Sequence, residues 1–103
     1  MDRDSAGNGI MSGKLQAEVV ALRALGWIAG QEDLLGLFMG ASGARPEDMR
    51  DRAQDPAFLG AVLDFLLTED RLVIAFCDAE RLPYTAPGVA RAALPGGAAM
   101  HWT

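Results

Sequence analysis

One cysteine and one histidine stand in 103 residues, and most site chemistries need more. Cys77 has no partner for an internal disulfide, which fits a reducing compartment, and a cytoplasmic location is expected. His101 is far along the chain from any Ser/Asp pairing that would make a triad, and a lone histidine does not build the usual zinc site. Basic residues are short too: nine against fourteen acids, a net charge of −5. Nucleic-acid binding wants the opposite balance, because phosphate contacts dominate that affinity. Long apolar runs are missing. Asp64 and the group Glu69, Asp70 and Arg71 cut them well short of the roughly 20 residues a membrane span requires. The opening MDRDSAGNGIMSGK carries two acids and no apolar core, so it is no signal peptide, and both Met1 and Met11 are candidate starts.

These absences leave an acidic chain that is 50% hydrophobic, enough for one small globular domain without metals or disulfides. No cofactor, metal, nucleic acid or membrane partner is expected, and no catalytic constellation marks an enzyme.

The densest apolar stretch is 57–80, AFLGAVLDFLLTEDRLVIAFCDAE, in which apolar residues recur three and four apart on both sides of a polar break at Thr68, Glu69 and Asp70. That spacing predicts a helical hairpin. Upstream, residues 14–29 form a first helix with Leu15, Val19, Leu22, Leu25 and Ile28 along one broad apolar face and Gly30 as its stop. A second helix starts near Gln31, Glu32 and Asp33 and ends at Ser42 and Gly43. Pro46 opens a short third helix ending near Ala53, and Asp55-Pro56 gives the cap and first turn of a fourth that runs to Leu67. A fifth covers 69–80, stopped by Pro83, and a last short one covers 85–94 with Pro87 in its first turn. The reading is all-α: a compact bundle of five to six helices over residues 14–97, between a mobile arm at 1–13 and a loose tail at 98–103.

A shift of 38 residues lays the first half on the second. Ala24 to Ala29 meets Val62 to Leu67, the turn and its acids repeat, and Leu34, Phe38 and Ala41 meet Leu72, Phe76 and Ala79. With one residue of slip, Arg52 to Pro56 meets Arg91 to Pro95. Duplication of a hairpin unit accounts for this, and so do two hairpins of like apolar spacing. Duplication carries the sharper expectation, that Trp27 and Phe65 are buried at corresponding places.

Gly36 and Gly40 sit one turn apart inside the second helix, and Gly43 continues their line. Interior glycine costs about 1 kcal/mol against alanine unless something approaches closely. The line is therefore a candidate interaction or close-packing face, with an internal helix as the favoured neighbour. Asp64 interrupts the most apolar helix on a stripe of small residues, Ala57, Gly60 and Ala61. It is either a solvent-edge residue or a buried acid paired with an arginine, and it is the candidate polar group at a pocket. The acids Glu47, Asp48, Asp51 and Asp55 lack the spacing of a calcium loop and read as a solvated face. A helix-turn-helix over 38–53 would offer three acids to phosphates, which argues against it.

The blocks ALGWIA, EDLLGLFMGASGARPEDMR, DPAFLGAVLDFLL and LPYTAPGVARAALPG, across residues 22–97, resemble a family of short alphaproteobacterial proteins catalogued as a domain of unknown function. The Asp-Pro before Phe58-Leu59 and the closing Ala-Leu-Pro-Gly carry the resemblance most distinctly. It implies no activity, ligand or partner. That family tends to have a small polar residue where this chain has Arg45, so the resemblance implies a weaker cap on the third helix. Two functions are expected from the residues themselves. The first is a helical module that binds a protein partner or a second copy of itself. The alternative is a small-ligand binder with an apolar pocket between the two hairpins.

Overall fold

Asp55 and Pro56 set the most sharply defined boundary. The Asp55 carboxylate accepts from the Ala57 N–H at 3.0 Å, which caps the positive end of the helix behind it. The computed structural model of the chain describes the backbone of residues 2–94 and the side chains of residue 13 and residues 15–94. Its helices are α1 (Asp2–Ala29), α2 (Glu32–Ser42), α3 (Met49–Arg52, entered through a 3-10 turn at Pro46–Asp48), α4 (Pro56–Leu67), α5 (Asp70–Glu80) and α6 (Ala86–Ala93). No strand occurs among the described residues, so the fold is an all-α bundle. Residues 98–103, expected as a tail, and His101 with them, lie outside the described residues.

One boundary differs from expectation. α1 begins at Asp2, so the backbone of the expected arm is the first part of a 28-residue helix. Once a nucleus exists, each added residue gains a hydrogen bond, so Gly and Ser weaken such an extension without stopping it. The third helix keeps its expected span, with a 3-10 turn at Pro46–Asp48 running into a single α-turn at Met49–Arg52. Arg45, at its N-cap, makes no capping hydrogen bond and pairs with Glu47 instead, at 2.7 Å.

α1 and α4 pack on each other, and α6 lies across both. Each hairpin is crossed over the other: α2 leans on α4, and α5 leans on α1. The aromatic side chains follow that exchange. Trp27 of α1 meets Phe76 of α5 edge-on at 5.7 Å, and Phe65 of α4 meets Phe38 of α2 edge-on at 5.4 Å. Positions 27 and 65, like 38 and 76, are 38 apart. Both Phe38 and Phe76 are fully buried, and Trp27 and Phe65 are each half-buried against the core. The helix ends keep the same interval: Ala29 with Leu67, Glu32 with Asp70, Ser42 with Glu80. So do the left-handed caps that follow, Gly43 at φ 76° and Arg81 at φ 60°. The third helices break the likeness, because α6 packs on α1 and α4 whereas α3 does not pack on them in the same way.

The core face of α1 is only partly the one expected: Leu25 and Ile28 are buried, and Leu15, Val19 and Leu22 are not. Ala17, Ala21, Ala24, Leu25 and Ile28 point inward, and Leu15, Val19 and Leu22 are 54%, 53% and 43% exposed. Three alanines at helical spacing let α4 and α6 come close, and close contact recovers dispersion energy that larger side chains would deny.

Candidate functional site

Two surfaces carry the features that a site would need, one between α2 and α4 and one on α1. Between α2 and α4 is an open hollow of about 260 Å³ lined by Phe38, Ala41, Ser42, Ala61, Asp64, Phe65 and Thr68. The edges of two phenyl rings and two alanine methyls make its walls. Ser42 and Thr68 are already engaged with backbone: Ser42 Oγ accepts from the Ala44 N–H at 3.1 Å, and Thr68 donates to the Phe65 carbonyl at 2.7 Å.

Asp64 stands at the rim and unites the two expectations for it. Its side chain is 48% exposed, and it is paired with an arginine. Arg91 Nε donates to Oδ1 at 2.6 Å and Nη2 to Oδ2 at 3.1 Å, a two-pronged pair that ties α6 to α4. The arginine is the buried partner, its side chain only 11% exposed. Gly60 makes room for it: a Cβ at that position would stand 2.9 Å from Arg91 Nη1. The close approach that interior glycine signals is therefore at Gly60, one turn before Asp64.

Gly36, Gly40 and Gly43 are exposed, and a Cβ at any of them would meet nothing within 4 Å. The internal close packing expected of them is absent. Phe38 points α2 into the core, and residues two positions to either side lie on the far face of the helix. The glycines face outward with Leu37, which is 59% exposed.

The second surface is the outer side of α1. From Leu15 to Ile28 only Gln16, Glu18, Arg23 and Gly26 are neither apolar nor alanine, so this helix is apolar on both sides. A helix with that character belongs in an interior, and here one side is exposed among the described residues. Beside it run two shallow apolar grooves. One, about 390 Å³, includes Val20, Leu82 and Ala86; the other, about 310 Å³, includes Val89 and Ala90 of α6. The sequence held the signal for this face, because Leu15, Val19 and Leu22 repeat at helical spacing opposite the three alanines.

Other residues resolve into structural roles. Cys77 is buried, and its thiol donates to the Pro83 carbonyl at 3.3 Å. Burial first, and then the Asp78 charge, push that thiol's pKa up, so it stays protonated and unreactive. Tyr84 donates to Asp78 at 2.7 Å, which raises the phenol's pKa by stabilising the O–H form, and the Asp78 charge adds to the rise. Glu47 is held below the usual carboxylate range by its hydrogen bond from Arg45. Asp55 serves as a helix cap. Among the described residues no group of three His, Cys, Asp or Glu side chains is placed to hold a metal ion, and no helix is long and apolar enough to cross a membrane.

The fold and its two surfaces define a small helical bundle with apolar faces exposed among the described residues. Residues 14–97 match the model of a family described as "Protein of unknown function (DUF3572)", and the chain belongs to that family. No curated protein and no solved structure matches the chain. The family description assigns no role, so the role must be argued from the surfaces.

Proposed function

We propose that the chain is a protein-interaction module whose binding surface is the outer face of α1. The observation that supports this most directly is the half-exposure of Leu15, Val19 and Leu22 on a helix already filled with alanines on its inner side. Contiguous apolar patches of this kind mark interaction sites on soluble domains. The adjoining grooves beside Val20, Leu82 and Ala86 extend the patch toward α6. The net charge of −5 turns the surface away from phosphate-bearing partners and favours a protein. On this reading the chain is no enzyme, needs no cofactor and works in the cytoplasm. The test is affinity capture from the cell of origin with the native chain and with a Leu15→Ser, Val19→Ser, Leu22→Ser variant that keeps its helicity. Proteins captured by the native chain alone support the reading, and an identical set from both chains overturns it.

A second reading has its own support. The hollow between α2 and α4 is apolar, rimmed by Asp64 and comparable in size with a pocket for a small molecule. A thermal-shift screen tests it, with Ala61→Leu as the control that fills the hollow. A specific compound should raise Tm in the native chain and not in the variant.

A further inference from the structure

We infer that the outer face of α1 receives a second copy of this chain, with the two α1 helices side by side and parallel. This rests on the reading of that face as an interaction surface and names its partner. Leu15, Val19, Leu22 and Gly26 are spaced four, three and four apart, the alternation of a two-helix seam. All four are exposed, and a Cβ at Gly26 would meet nothing within 4 Å. Such a stripe is complementary to itself.

The flanking charges select the arrangement. With Val19 and Leu22 at the seam, Glu18 falls on one shoulder and Arg23 on the other, five residues further along. In a parallel pair those shoulders face each other across the seam, so Glu18 of each copy meets Arg23 of the other, two contacts in all by symmetry. An antiparallel pair sets Glu18 against Glu18 and Arg23 against Arg23. Glu18 has no ion-pair partner among the described residues, whereas Arg23 Nε holds Glu80 at 3.2 Å with its side chain still 46% exposed. A guanidinium has five N–H donors, so that bond leaves others for a second carboxylate.

A seam of this length would not hold two isolated peptides together, because short helices do not persist in water. Here α1 is already fixed by Ala17, Ala21, Ala24 and Ile28 in the core. Most of the ordering is therefore complete before the copies meet, which lowers the ordering part of the cost of association.

Sedimentation of the full chain across a wide concentration range tests the inference. A concentration-dependent dimer is expected. Leu22→Glu should weaken it by about a hundredfold or more, since two leucines lose their burial in each dimer. Circular dichroism confirms that the fold survives, and Val19→Ser serves as a milder second variant. Glu18→Arg and Arg23→Glu should each weaken self-association roughly five- to tenfold. Mixed together they should pair with each other in preference to themselves, because both cross-seam contacts are then restored.

A chain that stays monomeric throughout overturns self-association, and the capture experiment above then decides separately whether the face binds anything. A dimer indifferent to Leu22→Glu overturns the seam. A dimer that the mixed charge variants fail to restore overturns the parallel arrangement.

Discussion

The two halves of the bundle present the same backbone corner and fill it differently. Where α2 meets α4, Ser42 and Ala61 line an open hollow. At the corresponding corner, 38 residues away along each helix, Glu80 of α5 and Arg23 of α1 form an ion pair at 3.2 Å. The aromatic residues beneath are alike, Phe65 on Phe38 in one corner and Trp27 on Phe76 in the other. Apolar spacing therefore sets the architecture twice over, and the residues that break the likeness determine what each corner can do. Asp64 is the clearest case: its counterpart is Gly26, and its partner Arg91 comes from α6, whose counterpart α3 is not packed in the same way.

The likeness of the two cores is tested most severely at Phe38 and Phe76. Truncating either to alanine should cost about 3–5 kcal/mol, since each ring is fully buried. Denaturant titration should give the two variants similar losses, and a gap of several kcal/mol would break the equivalence.

The ion pairs should diverge. Asp64→Ala leaves the mostly buried Arg91 guanidinium without that carboxylate and should cost about 1–3 kcal/mol. Glu80→Ala removes the partner of a much more exposed arginine and should cost less than about 1 kcal/mol. Equal losses would mean that the burial of Arg91 has no energetic weight.

The left-handed caps sharpen the comparison further. Arg81→Gly should stabilise the fold by about 1 kcal/mol by relieving φ 60°, and Gly43→Ala at φ 76° should destabilise it by a similar amount. The smallest effects belong to the outward glycines. Gly36→Ala and Gly40→Ala should each stabilise α2 by up to about 1 kcal/mol, since nothing crowds the new methyl. Gly60→Ala should show no such gain, because its methyl would collide with Arg91.

Much of this was legible in the sequence where local chemistry decides structure. Asp55-Pro56 announced α4, Gly43 ended α2, and Pro83 lies just beyond the end of α5. The pairing of Asp64 with Arg91 was not, because it joins residues 27 apart that no local rule connects. The face of α1 was misread for a different reason. Apolar spacing alone favours leucine and valine for the inner side, but alanine packs closer and holds that place along residues 17–24, which leaves Leu15, Val19 and Leu22 outside. Interior glycines at 36, 40 and 60 look alike in sequence, and only the position of Arg91 tells them apart.

The alanine side of α1 has a consequence for how related chains can drift. Positions 17, 21 and 24 are buried, so a side chain larger than alanine at any of them should cost about 1–3 kcal/mol through overpacking. Positions 15, 19 and 22 carry no such restriction from the fold itself, because each is about half in solvent. If no molecule covers that face, polar residues there should cost the fold little. Leucine or valine kept at those three places among relatives would support the proposed contact surface, and polar residues there would weigh against it.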